Sequence, residues 1–447
     1  MQVSEHRLFW LAAIILIAAA ATYLRIGAVT NTVIDTPIRA DAADYYFYAY
    51  NLGHHGVYSK TPVGHGRPVP DAVRSPGYPL FLTPLVSWPP TDRMLLDINL
   101  LQVLLGVGTV LITFSLCLRF MPRTAAMLAA LFTAVSPHLV SFTAYLLSET
   151  LFTFLLVLTL WLITGIQSGH RRYLFAFASG LLLAAAALTR PVMDYFMVPL
   201  AGLLLFQFGP RQGTRLALVC LAGFAVLTLP WTLRNLLTLG QVSDPTLMTK
   251  TLLHGMYPNF TYAGEAQSRG FPYRFDPRAA QISRDLGSVL AEIGRRFHDQ
   301  PLVHLKWYLL GKPVALFSWN MVQGMGDVFV YPVTRSPYWT APLFRFTHAL
   351  MHLLHWPLVA LSAVAAVLAW VPRCMRLFGE TAVFTLRLLS LLLAYYVLVH
   401  MVGAPFPRYS VPLRPVTYAL SVFTVYAGYR YLSAGSGQGR LSPAAPP

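Results

Sequence analysis

The sequence predicts an all-α polytopic membrane protein of about ten transmembrane helices, and three observations carry that reading. Hydrophobic residues make up 56% of the 447, and charged residues only 11%. Soluble domains carry roughly 25% charged residues, so a soluble enzyme is excluded, as is a long disordered chain. The mean hydropathy is +0.55, and the apolar residues gather into runs about as long as a hydrocarbon core is thick. Lys and Arg exceed Asp and Glu by 33 to 17. The basic residues lie scattered between apolar runs and form no soluble basic surface, so nucleic acid is not expected as a partner. Cys117, Cys220 and Cys374 have no CxxC spacing, which argues against a disulfide framework and a zinc site.

Ten runs are long and apolar enough to be read as helices satisfying their own backbone in lipid. They are Leu8–Ala28, Ile98–Leu118, Thr124–Thr143, Leu146–Gln167, Tyr173–Leu188, Val192–Phe208, Leu216–Thr232, Phe346–Trp370, Ala382–Val402 and Val411–Leu432. The first is too long for a signal-peptide core and no small-residue cleavage site follows, so it is expected to be an uncleaved anchor. The organisation expected is therefore an anchor (1–28), an extracytoplasmic catalytic loop (29–97), helices two to seven (98–232), a second extracytoplasmic segment (233–345), helices eight to ten (346–432) and a disordered tail (433–447).

Orientation follows from the positive-inside rule. With the N-terminus inside, the cytoplasmic turns receive Arg7, Arg119, Arg123, Arg171, Arg172, Arg211, Arg215, Arg373, Arg376, Arg387, Arg430 and Arg440. Only two acids, Glu5 and Glu380, join them, and the other 15 of the 17 fall outside. Both termini are expected to be cytoplasmic, in an inner or plasma membrane. Leu302–Trp319 is apolar but interrupted by Lys306, Lys312 and Pro313, and reads as an interfacial helix. Counting it as a span would put Arg373, Arg376 and Arg387 outside. No internal repeat marks an inverted-repeat transporter.

Ionisable residues at the outer ends of the spans are the candidates for chemistry. The first outer loop opens on Arg39, Asp41, Asp44 and Tyr45, with Tyr45, Tyr48 and Leu52 on one helical face suited to lying on the membrane. Asp41 reads either as the N-cap of that helix, with Asp44 reaching back, or as a general base at the water–lipid boundary. Arg74-Ser-Pro-Gly-Tyr78-Pro follows, then Ser148-Glu149, Thr-Arg190-Pro, Pro-Trp-Thr-Leu-Arg234-Asn and Pro-Arg408-Tyr409. Four arginines thus reach one depth. Each alone reads as a snorkelling anchor; together they suit a lipid phosphate. His348, His352 and His355 share one helical face and read as a stripe turned to headgroups. His54, His55 and His65 share the first loop with Asp41, so a divalent cation there is conceivable. Gly106 and Gly108 suit close helix packing.

This order of motifs, from Arg39 to Tyr409, resembles the dolichyl-phosphate-mannose-protein mannosyltransferase-like group, glycosyltransferase family 39 of the GT-C superfamily. The resemblance implies a GT-C-type bundle and an enzyme moving a hexose or pentose from a polyprenyl-phosphate donor to an extracytoplasmic hydroxyl of a glycan, lipid or protein. It implies Asp41 as the functional first-loop acid and Arg74, Arg234 and Arg408 near the carrier phosphate, with Arg190 read beside them. Tyr45, Tyr78, Glu149 and Tyr409 are read as supporting. The family often has adjacent Asp-Glu where Asp41 is followed by Ala42, which leaves the division of labour between Asp41 and Asp44 open. No cofactor is required by the resemblance. Direct displacement would invert the anomeric centre, while Asp44 or Glu149 as nucleophile keeps retention open. The alternative class is a secondary transporter or lipid flippase, which would concentrate polar positions at the bilayer midplane.

Overall fold

The computed structural model describes residues 2–167 and 169–435. Helices dominate, and each of the ten apolar runs falls on helical chain. Among the described residues six helices are, by length and composition, able to cross a membrane, or seven if a bent pair counts as one. The chain is a multi-pass membrane protein.

The differences from the ten expected runs have local causes. Residues 191–239 form one apolar helical stretch, but Gly209 interrupts it at φ 77°, directly before Pro210. The two arms fold back on each other, with Cys220 Sγ 3.8 Å from Met197 Sδ. Glycine supplies a left-handed turn that a Cβ would oppose, and proline cannot continue the helix before it. The expected sixth and seventh runs are the arms of this hairpin. The expected third run breaks into Arg123–Val135 and a second piece from Pro137, bent by 50°. Pro137 has no N–H for the Thr133 carbonyl. Arg25, buried within the first span, donates to the Thr133 and Ala134 carbonyls at 3.3 and 3.1 Å. The freed backbone is thus satisfied by a side chain, as hydrocarbon surroundings require. Gly106 leaves the room, since a Cβ there would lie 2.5 Å from Arg25 Nε. Gly180 and Gly223 let the Arg172–Thr189 helix and the second hairpin arm touch backbone to backbone. The last helix runs to Gly435, three residues past the expected end. The rest of the expected tail, 436–447, lies outside the described residues.

The 302–319 stretch forms helical chain from Pro301 to Leu316 with a π-type turn at Trp307–Gly311. Leu302, Leu309, Leu310 and Val314 are exposed on it, while His304, Trp307 and Lys312 face inward. Lys312 Nζ donates to the Val402 and Gly403 carbonyls at 3.2 and 2.8 Å, closing the C-terminus of the Glu380–Val402 helix. Arg234, before this stretch, binds backbone of the first loop, and Tyr331, after it, meets Ala42 of the same loop. The chain from 234 to 331 thus begins and ends against one loop. A two-stranded antiparallel ribbon, Val33–Ile34 on Val333–Arg335, joins the 29–97 and 233–345 segments.

Of the histidine stripe, His348 and His355 turn into the protein, while His352 between them is exposed. Trp319 sits among His138, His348, His352 and His355, with ring centroids 4.5 to 5.4 Å away. His348 Nε2 lies 2.8 Å from Asp327 Oδ1, and His355 Nε2 bonds the Phe317 carbonyl. Burying His355 and half-burying His348 requires partners, and the 317–327 chain supplies them.

Candidate active site

Asp41 opens the Asp41–His55 helix as its first residue; the capping position belongs to Ala40, at φ 48° and with no side-chain cap. The N-cap reading of Asp41 is therefore corrected. Its carboxylate points away from the helix end, between two guanidinium groups. Arg74 Nη2 donates to Asp41 Oδ1 at 2.6 Å and Arg408 Nη1 to Oδ2 at 2.7 Å. Arg74 also holds Asp44 Oδ2, through Nε at 2.9 Å. Arg408 Nε bonds Glu149 Oε1, and Arg190 Nη1 stands 2.9 Å from that same oxygen. Three arginines and three acids form one chain of ion pairs: Asp44, Arg74, Asp41, Arg408, Glu149, Arg190.

The members differ in burial. Glu149 is fully buried, with no hydrogen-bond partner for Oε2 among the described residues. The Asp41 and Asp44 side chains keep 28% and 33% of their surface, so the cluster opens to solvent on their side. Burial alone would raise the Asp41 pKa, but Arg408 and Arg74 beside it hold its carboxyl well below the usual carboxylate range.

Local sequence explains how the segments meet. Pro76 and Gly77 turn the chain into the short Gly77–Leu82 helix. A Cβ on Gly77 would lie 2.5 Å from Thr189 Oγ1 and 2.7 Å from its backbone nitrogen. Only glycine lets the Arg74 loop reach the turn that carries Arg190. Tyr45 stacks edge-on against Tyr78 at 5.0 Å, lies 5.7 Å beneath Arg74 and reaches Ser148 Oγ at 3.4 Å. Tyr78 touches none of the acids; its hydroxyl donates to Gln102 Oε1, and Gln102 bonds the Tyr145 carbonyl. Tyr409 lies 5.0 Å under Arg190. The expected membrane-facing surface of the first-loop helix is not seen: Tyr45 and Tyr48 are buried in protein, Tyr48 stacked on Tyr58 at 4.2 Å.

Arg234 is the expected residue that the structure does not bring to this cluster. Its guanidinium donates to the Asp71 and Tyr58 carbonyls at 2.8 and 3.1 Å and packs on Tyr58 and Trp231. It holds the first loop by its backbone. Position at the membrane surface cannot tell a loop anchor from a ligand contact, because both need a cation at that depth.

Tyr331 was not among the residues read from the sequence. Its hydroxyl accepts from the Ala42 N–H at 3.3 Å, one residue from Asp41, and Arg39 lies 5.9 Å over its ring. It comes from the 233–345 segment through a loop of no regular periodicity, so no sequence pattern announces it. For a divalent cation the fit is poor. No three described His, Cys, Asp or Glu side chains gather as a ligand set, His54, His55 and His65 included. Both Asp41 oxygens are held by guanidinium groups.

Residues 92–233 match the family described as dolichyl-phosphate-mannose-protein mannosyltransferase. No curated protein sequence matches the chain. Among solved structures, the Archaeoglobus fulgidus oligosaccharyltransferase tethered with an acceptor peptide is similar at 14% identity and TM-score 0.54, covering 98% of this chain and 52% of its own. The same organism's oligosaccharyltransferase AglB, in complex with an inhibitory peptide and a dolichol-phosphate, matches at 15% identity and TM-score 0.54, covering 98% and 53%. ArnT from Cupriavidus metallidurans, bound to undecaprenyl phosphate, reaches 13% identity and TM-score 0.43 over 97% and 81%. The chain spans about half the length of the archaeal structures, and at such identities the likeness is one of fold. The chain matches the mannosyltransferase family model over residues 92–233 and, over nearly its whole length, shares its membrane-domain fold with the archaeal oligosaccharyltransferase.

Proposed function

We propose that the protein is a membrane glycosyltransferase that moves a sugar from a polyprenyl-phosphate donor to an acceptor hydroxyl on the extracytoplasmic face. One observation carries the reading: Arg74, Arg190 and Arg408 converge with Asp41, Asp44 and Glu149 at one end of a membrane bundle. A donor whose leaving group is already a phosphate asks for cations around that phosphate and a base for the acceptor. Arginines suit the first task because the planar fork matches phosphate oxygens. The family match and the dolichol-phosphate complex of the archaeal relative support the same chemistry.

In the proposed step, Asp41 takes the proton of the acceptor hydroxyl. The acceptor oxygen bonds the anomeric carbon, and the bond to the phosphate oxygen breaks with its electron pair left on phosphate. Arg74 and Arg408 face that phosphate, and Arg190 with Glu149 sets the position of Arg408. Direct displacement inverts the anomeric centre. Transfer proceeds without a metal, and the sugar is a hexose or a pentose. Both termini are cytoplasmic, and the segments 29–97 and 233–345 are extracytoplasmic.

The test is sugar transfer from labelled donor lipid in proteoliposomes, with variants matched for insertion and thermal stability. Asp41→Asn is expected to lose about 100- to 10,000-fold, the usual contribution of a general base. Asp44→Asn, which touches only Arg74, loses less. Near-normal transfer by Asp41→Asn beside an inactive Asp44→Asn would move the base three residues along. Normal transfer by both would remove the first-loop acids from the chemistry.

A further inference from the structure

We infer that Asp41 and the donor phosphate compete for the same two guanidinium groups, so that donor binding releases Asp41 as a base and donor must bind before the acceptor can react. The inference rests on the donor reading above and specifies its order.

In the structure both Asp41 oxygens are occupied, Oδ1 by Arg74 and Oδ2 by Arg408. A carboxylate held in this way is a poor proton acceptor, because protonation would break two charge-assisted hydrogen bonds. Arg74 and Arg408 are in turn engaged by acids, through Nε and Nη2 on Arg74 and through Nε and Nη1 on Arg408. A phosphate cannot take a forked hold on either while all these pairs remain. The pairs are unequal. Glu149 is fully buried and held by two arginines, whereas Asp41 and Asp44 keep 28% and 33% exposure. The Glu149 side is a fixed wall and the Asp41–Asp44 side is the one that yields.

Charge counting points the same way. Three acids and three arginines cancel, so the resting cluster is neutral. A phosphodiester donor adds one negative charge. At transfer the leaving phosphate gains a second, and the acceptor proton arriving on Asp41 removes one from the protein. The total is unchanged across the step. A carboxylate freed from its arginines can accept that proton, and one still clamped cannot do so without loss.

The expected consequence is that removing the acid tightens binding. Undecaprenyl phosphate binding is measured by titration calorimetry on the full chain in nanodiscs. Asp41→Asn is expected to bind about tenfold tighter than wild type, the size of one charge-assisted hydrogen bond no longer in competition. Asp41→Glu keeps the charge and should stay near wild type. Asp44→Asn should tighten binding by a smaller factor, and decides the matter alone if Asp41→Asn fails to insert. Unchanged or weaker binding in the Asn variants, with wild type binding normally, overturns the competition and leaves the donor reading standing. No binding by wild type or any variant overturns the donor reading, and the competition with it.

Discussion

Asp41 and Arg408 stand 367 residues apart in the sequence, yet Arg408 Nη1 donates to Asp41 Oδ2 at 2.7 Å. The contact joins the first outer loop to the turn before the last helix, so the site exists only when the whole bundle has closed. Arg408 uses two faces of its guanidinium, one on Asp41 and one on Glu149. Lysine can supply charge but no fork. Arg408→Lys is expected to insert normally and to lose at least about 100-fold in transfer, comparable to one lost electrostatic contact in an active site. Transfer within a few-fold of wild type would show that charge alone suffices there.

Arg234 separates anchoring from phosphate contact. Its bonds to the Tyr58 and Asp71 carbonyls pin the 58–71 backbone. Arg234→Lys should therefore leave undecaprenyl phosphate affinity near wild type while limited proteolysis cuts the first loop faster. A selective loss of lipid affinity, with the loop as resistant as before, would return Arg234 to the phosphate site.

Gly77 tests the close approach of two loops. An alanine methyl would meet Thr189 at 2.5 and 2.7 Å and the Leu188 carbonyl carbon at 2.8 Å, far inside contact distance, and these neighbours are backbone or short side chain. Overpacking of this kind costs about 1–3 kcal/mol. Gly77→Ala should lower the melting temperature in detergent and reduce transfer, because the Arg74 loop must move off the Arg190 turn. An unaltered melting curve with full transfer would mean that the loop relaxes freely.

The pH dependence follows from the lowered Asp41 pKa. A carboxyl whose folded pKa lies below its unfolded value adds stability that is present above the ordinary carboxylate range, near 4. That stability is lost as pH falls through the folded value. In pH–rate profiles, kcat/KM for donor reports the free enzyme and kcat the loaded one. Clamped Asp41 predicts no acid limb in kcat/KM above about pH 4. Released Asp41 predicts an acid limb in kcat at higher pH. Acid limbs that coincide would contradict release.

Topology can be read with phosphatase reporter fusions. Fusions after Lys60, Lys250 and Pro405 should be active, and those after Arg123, Arg172 and Arg376 inactive. An active reporter at Arg376 would mean that the 301–316 helix crosses the membrane.

Apolar run length and arginine placement determined, from the sequence alone, that this is a helical membrane protein, and singled out Asp41, Arg74, Glu149, Arg190 and Arg408 as candidate site residues. Those properties are local: burial in lipid depends on the residues of one segment, and a charge near a span end is visible in its own neighbourhood. Tertiary structure decided the partners. Asp41 and Arg234 occupy similar places in the sequence pattern, each charged and beside an outer span end. One meets arginines from two distant segments, and the other meets backbone carbonyls of a loop. The inward turn of His348 and His355, the entry of Tyr331 beside Ala42 and the fold at Gly209 were settled in the same way. Which guanidinium meets which carboxylate is a matter of helix packing across hundreds of residues, and no local periodicity encodes it.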